Sequence, residues 1–278
     1  RTTEEKHKKA AQRIFELLYK RGHIYKAKYK GLYCISCEAF YRENEAKDGL
    51  CPVHKKKLEE FEEENYFFKL SRFKEKIIKV IEKGLTKPEK YKNEIITRLK
   101  QEELKDLSVS RTNLDWGIKV PFDEKQTIYV WIDALSNYIT ALDWPDGKNF
   151  KIYWPADLHV IGKDINWFHS VIWPALLMAL NVKLPRCVFV HGFINIGGEK
   201  LSKTTGIVVD PFELVKKYGS DAIRFYLLKT ATYGDDFDYD GNEIKESLNK
   251  ELADKYGNLI IRVVGLAKKI NGKIKKGK

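Results

Sequence analysis

The sequence has no apolar run of the roughly 18 to 20 residues that a membrane span requires, and no secretory signal opens it. A membrane-embedded or exported protein is therefore not expected. Cysteine is scarce, four in 278 residues, too few for a disulfide framework. Two of them stand three apart, which suits a metal site in a reducing compartment, and the cytoplasm is the expected setting. There is no obvious internal repeat and no long disordered segment. No phosphate-binding loop of the Walker type is present either, because the one glycine-lysine-serine loop lacks the glycine that must stand five residues ahead.

What is present suffices for one large domain or two modest ones: 43% of the residues are hydrophobic. Lys and Arg number 51 against 39 acidic residues, a net charge of +12. The acidic residues are interleaved, so the excess is spread; it is compatible with a polyanionic partner without specifying one.

In chain order, residues 3 to about 21 predict an amphipathic helix. Thr2 or Thr3 is its expected cap, Ala10, Ile14, Phe15, Leu17 and Leu18 its apolar stripe, and Gly22 its end. His7 and His23 read as solvated, with no assigned role. Strand character from His23 to Tyr41 contains Cys34-Ile-Ser-Cys37, and Cys51-Pro-Val-His54 follows a short loop. Three thiolates and an imidazole at that spacing fill a tetrahedral zinc shell with no open position, so Cys34, Cys37, Cys51 and His54 are the candidate ligands of a structural zinc. Residues 65–70 predict a buried strand or turn, Ser71 could cap the next helix, and Pro88 begins another. Arg111 lies in a short extended segment, where it reads equally as a surface charge or as a clamp on an acid.

Strand-like Thr127 to Val130 leads into a helix on which Trp131, Ala134, Leu135 and Tyr138 share a face. That stripe fits core packing. It also fits an apolar pocket suited to an unbranched thioether, whose sulfur makes favourable contacts with rings. The central stretch is 154–181, read as a short strand, a glycine turn and an apolar helix. Gly162, Lys163 and Asp164 fall where strand gives way to helix, the edge at which open α/β sheets bind ligands and a helix start favours phosphate. Ile165, Phe168, His169 and Ile172 follow at helical spacing. Taken alone, this is also a structural helix with one core histidine. Downstream, Val188 to His191 predicts a buried strand. The loop 197–206 has glycines at both ends and holds Lys200 and Lys203, able to neutralise a polyphosphate. Asp210-Pro211 starts a capped helix over 210–218, followed by helices over 220–230 and about 242–270.

The succession of these motifs resembles the methionyl-tRNA synthetases, class I aminoacyl-tRNA synthetases, along essentially the whole chain. In order they are the CxxC and CPxH knuckle, NYFFKLSRF, SVSRTNLDWGIKVP, YVWIDALSNYITAL, WPADLHVIGKDINWFH, VFVHGFINIGGEKLSKTTG and VVDPFELVKKYGSDAIRFYLL. The resemblance implies an α/β fold: the second half of a class I Rossmann catalytic domain with a zinc-knuckle connective insertion and a C-terminal helical segment. It divides the chain into a leading helix (1–22), the zinc-knuckle insertion (23–70), the Rossmann part with the lysine loop (71–206), a stem-contact-type helical segment (207–240) and the start of an anticodon-binding bundle (241–278).

It also implies roles. Lys200-Leu-Ser-Lys203-Thr204 resembles the second family signature, Lys-Met-Ser-Lys-Ser, with Lys203 on the ATP phosphates and Lys200 assisting. Trp131, Ala134, Leu135, Tyr138, Ile165, Phe168 and His169 match the methionine side-chain pocket. Gly162 and Asp164 match the adenosine-binding turn, and Arg111 an arginine that orders the site. The implied partners are methionine, ATP with magnesium, and tRNA. The implied reaction is activation of methionine to methionyl-adenylate followed by transfer to tRNA. One departure is large. The family's other signature, His-Ile-Gly-His, does not occur, so roughly 100 residues making the first Rossmann half are expected to come from another chain or segment. Two alternatives are a non-catalytic, synthetase-like tRNA-binding protein and a class I synthetase for another apolar amino acid.

Overall fold

A computed structural model of the chain describes residues 1–34, 39–41, 47–51, 56–112, 114–200 and 209–269. These fall in two compact units, Arg1–Phe189 and Val190–Lys278.

The first unit opens on α1 (Glu5–Lys20), which buries Ala11, Ile14, Phe15 and Leu18 along one stripe. Glu4 stands at its N-cap and makes no side-chain cap, so the expected threonine cap is not formed. Gly22, at φ +70°, ends the helix as its position requires, with His23 N–H donating to the Leu18 carbonyl at 2.9 Å. Next come β1 (Ile24–Cys34), β2 (Ala39–Tyr41) and β3 (Glu59–Phe68), then α2 (Lys74–Glu82), β4 (Thr86–Lys87) and α3 (Glu89–Gln101). β5 (Leu107–Ser108) returns to complete an antiparallel sheet ordered β2-β1-β3-β5. Ser71 does not cap α2. Its hydroxyl donates instead to Asp106 at 2.6 Å, and a 3₁₀ turn precedes the helix.

The strands β6 (Ser110–Arg111), β7 (Lys119–Val120) and β8 (Asp123–Ile128) form a second antiparallel sheet, ordered β6-β8-β7. It delivers the chain into α4 (Val130–Thr140), followed by α5 (Lys148–Tyr153) and β9 (His159–Gly162). A tight turn over Lys163–Ile165 and a π-helical turn over Phe168–Ile172 lead into α6 (Trp173–Ala179). α6 is apolar all round and almost wholly buried, as such a helix must be. β10 (Val188–His191) then runs parallel to β4, in a sheet ordered β4-β10-β9. This is the α/β part of the fold.

In the second unit, β11 (Ile194–Ile196), β12 (Glu199–Lys200), α7 (Pro211–Tyr218), α8 (Ser220–Thr230) and β13 (Phe237–Asp238) precede α9 (Gly241–Ser247). A π-helical stretch, Leu248–Gly257, continues into α10 (Asn258–Lys269). The sheet order is β12-β11-β13, and the small core holds Ile223, Tyr226 and Ile244. The Asp210 carboxylate accepts from Phe212 N–H at 2.8 Å, the predicted cap with proline in the first turn. Among the described residues no helix is long and apolar enough to cross a membrane.

Two further expectations are corrected. His7 is not solvated. It is 4% exposed, because it stands four residues before Ala11 and seven before Ile14 on the buried stripe of α1. His23 is half-buried, with its ring against Phe73 at 5.6 Å, and burial lowers its pKa.

Candidate active site

The helix α4 is set by what precedes it. Tyr129 stands at its N-cap, and its N–H donates to the Val109 carbonyl at 2.9 Å. The Arg111 guanidinium lies over the Tyr129 ring, 4.4 Å from its centroid, and donates to the Ser110 carbonyl at 2.8 Å and the Ser108 hydroxyl at 2.9 Å. Arg111 therefore braces the entry to α4 through a stacked cation and local backbone bonds.

From α4, Trp131 stacks on Phe168 with centroids 3.7 Å apart, and its ring is 6.5 Å from that of His169. Tyr138, two turns on, meets His169 directly: its hydroxyl is 2.9 Å from Nε2. The opposite nitrogen, Nδ1, is 3.0 Å from the Ile165 carbonyl. A carbonyl only accepts, so Nδ1 carries the proton; Nε2 then accepts from the tyrosine. The π-helical turn makes this possible by placing Phe168 and His169 toward α4. Ala134 and Ile165 are half-buried, whereas Leu135 is 1% exposed and belongs to the core.

Burial dominates the electrostatics. It lowers the pKa of His169, against the pull of the Ile165 bond, and raises that of Tyr138. Both groups stay neutral near pH 7. The site is consequently an apolar, uncharged wall with one ordered hydroxyl–imidazole pair.

Gly162 has φ −73° and ψ 153°, a conformation open to any residue. Backbone strain therefore does not require glycine there. Asp164 is exposed in the first turn after it. In the second unit, Lys200 closes β12, paired with Asn195 of β11. Lys203, with the rest of 201–208, lies outside the described residues.

Of the four expected metal ligands, Cys34 and Cys51 are described, and they come together in one buried cluster with Leu58 and Leu32. Cys51 N–H donates to the Lys56 carbonyl at 2.8 Å, and Leu50 bridges to Lys57, so Cys51 is tied to the chain that leads into β3. Cys37 and His54 lie outside the described residues, among which no group of three or more metal-binding side chains occurs.

Sequence reasoning missed three members of the aromatic group. His159 on β9 packs at a tilt against Tyr138, centroids 4.1 Å apart, and lies 6.1 Å from Trp154; Trp173 is 6.1 Å from both Tyr138 and Trp154. Trp173 was findable, four residues after His169 on the same helical stripe. Burial, and then the neighbouring His169, lowers the His159 pKa to about 4. Its Nε2 and the Nε1 of Trp173 are buried with no hydrogen-bond partner among the described residues. A surface cavity of about 160 Å³ between Leu70, Arg98 and Trp167 shares no lining residue with this group.

The family described as tRNA synthetases class I (M) matches residues 1–60 and 44–264. A methionine–tRNA ligase of Caldanaerobacter subterraneus is 48% identical over 97% of this chain and 43% of the relative. Those of Brucella suis and Thermotoga maritima are 46% and 42% identical over 99% of this chain, and 55% and 45% of theirs. Among solved structures, Mycobacterium tuberculosis methionyl-tRNA synthetase in complex with methionyl-adenylate superposes with a TM-score of 0.84. It is 39% identical, over 97% of this chain and 54% of that one. The chain thus spans about half the length of the relatives it matches.

Proposed function

The chain belongs to the class I tRNA synthetases of the methionine type, and from that premise we propose that it carries the methionine pocket and part of the ATP site of a methionine–tRNA ligase. The supporting observation is the Tyr138 hydroxyl on a neutral His169, beside the stacked Trp131 and Phe168. An uncharged aromatic wall with one fixed polar pair suits a thioether side chain. It disfavours charged amino acids, which would lose their hydration there. Trp131, Ala134, Tyr138, Ile165, Phe168 and His169 would line the pocket, with Leu135 supporting it from the core.

In the proposed reaction the methionine carboxylate attacks the ATP α-phosphorus, the bond to the β-phosphate oxygen breaks, and pyrophosphate leaves. A hydroxyl of the tRNA terminal ribose then attacks the methionyl carbonyl, and AMP leaves. Neither step needs a side-chain nucleophile; orientation and charge stabilisation carry both. Gly162 and Asp164 would receive adenosine, Lys203 the phosphates with Lys200 assisting, and Arg111 would order α4. Magnesium bound with ATP supplies further neutralisation of the phosphates.

Cys34, Cys37, Cys51 and His54 would hold a structural zinc. The shared burial of Cys34 and Cys51 and the bond from Cys51 N–H to the Lys56 carbonyl fit that role. Within this reading, 23–70 is the zinc-bearing insertion, 71–206 the Rossmann part, 207–240 a stem-contact segment and 241 onward the start of an anticodon-binding bundle. This reading assigns the first Rossmann half, with its His-Ile-Gly-His signature, to another segment or chain.

Methionine-dependent ATP–pyrophosphate exchange tests this, on the chain alone and with that half supplied. Exchange in the mixture, abolished by Lys203→Ala, supports the proposal. A folded, zinc-loaded mixture without exchange overturns it.

A further inference from the structure

His7 is separated from the pocket by a whole helix, yet both its ring nitrogens are engaged on that helix. Nε2 is 2.5 Å from the Asp133 carboxylate and Nδ1 2.7 Å from the Thr140 hydroxyl. His7 and Thr140 are 4% and 3% exposed. Asp133 and Thr140 are seven residues apart, so the imidazole spans two turns of α4. At about 100° per residue they fall on the side of α4 opposite to Trp131, Ala134 and Tyr138.

We propose that His7 is a positioning residue for the methionine pocket: it holds α4 from behind, so that Tyr138 meets His169. The inference rests on reading the front of α4 as the pocket wall. Apolar packing between α1 and α4 is non-directional and tolerates small rotations about the helix axis. Two hydrogen bonds two turns apart do not. At a helix radius of about 6 Å with side chains, a rotation of about 15° moves a side-chain tip by roughly 1.5 Å. That takes the Tyr138 hydroxyl out of bonding reach of Nε2. The other ties of α1 lie elsewhere: Lys6 pairs with Asp143, Gln12 donates to the Lys119 carbonyl at 2.9 Å, and Arg13 lies over Trp144. Among these, only His7 reaches the body of α4.

The test is the protonation pattern of His169 in the chain labelled with ¹⁵N-histidine, assigned by comparison with His169→Gln. The wild-type ring is expected to show a protonated Nδ1 and a hydrogen-bonded, unprotonated Nε2. His7→Ala should convert this to an average of both tautomers while the far-UV circular dichroism stays native. His7→Gln, whose amide reaches Asp133, should restore it. Methionine affinity, by equilibrium dialysis, should fall about tenfold in His7→Ala, as for one lost hydrogen bond, and by much less when Tyr138→Phe is already present. A wild-type pattern in His7→Ala with only a lowered melting temperature would overturn the proposal, as would unfolding of His7→Ala, His7→Asn and His7→Gln alike. If the wild-type chain binds no methionine, the proposed function loses its support. The imidazole pattern still decides the role of His7.

Discussion

The hydroxyl of Tyr138 and the Nε2 of His169 are joined by a 2.9 Å hydrogen bond between α4 and the π-helical turn. Because the Ile165 carbonyl holds the proton on Nδ1, this bond has one direction: the tyrosine donates. The pair is therefore an oriented dipole in apolar surroundings, where misdirected polar groups are costly.

Tyr138→Phe removes the donor and leaves Nε2 buried without its partner. The expected loss is about 1 to 2 kcal/mol of stability, and the methionine KM should rise about tenfold with a smaller change in kcat. Thermal melts and methionine titrations of the exchange reaction measure the two. An unchanged KM alongside a lowered melting temperature would make Tyr138 core rather than pocket.

His159 gives the fold a pH dependence. In the unfolded chain a histidine titrates near 6.5, whereas burial against Tyr138 and Trp154 keeps His159 neutral down to about 4. Below pH 6.5 the unfolded state gains a proton that the folded state refuses, so stability falls as pH drops toward 4 and then levels off. Between pH 6.5 and 5, where most carboxylates are still ionised, the loss should reach about 2 kcal/mol. His169, also lowered by burial, acts in the same direction. Urea melts across this range should show the slope, and His159→Gln should flatten it. The same slope in that variant would assign the effect elsewhere.

How much of this was legible differs by residue. Helical spacing nominated Trp131, Tyr138, Phe168 and His169, because a period near 3.6 marks the buried face whatever that face does. The bond between Tyr138 and His169 was not legible, since nothing local specifies which side chains meet across 31 residues. His7 was misread because Lys6, Lys8 and Lys9 surround it and suggest a solvated face. Yet His7, Ala11, Ile14 and Leu18 form one unbroken stripe, and that periodicity held the answer. Ser71 was misread because Asp106, 35 residues on, takes its hydroxyl, a competition no capping rule contains.

Arg111→Lys keeps the charge but loses the planar stack on Tyr129 and the fork that reaches the Ser110 carbonyl and the Ser108 hydroxyl. A cost of about 1 kcal/mol is expected, with kcat for exchange falling more than KM rises, since α4 would enter at a looser angle. Steady-state kinetics beside a melt would separate these. Full activity in Arg111→Lys would leave the guanidinium no part beyond its charge.

Zinc removal tests the insertion. Among the described residues Cys34 and Cys51 are packed with Leu58 and Leu32, a cluster too small by itself to offset the conformational entropy of ordering the insertion. Metal binding would close that gap. Chelation should therefore raise hydrogen exchange sharply at the Cys34 end of β1, the Glu59 end of β3 and the bonded amides of Cys51 and Leu58. The stripe of α1 should stay protected by α4, β7 and the Tyr66 end of β3, and the aromatic group around Tyr138 by α4, β9 and α6. Cys51→Ser should lose bound zinc, read by elemental analysis, and reproduce the same exchange map. Protein prepared with zinc that retains none, with these segments already protected, would show that the cluster stands by packing alone.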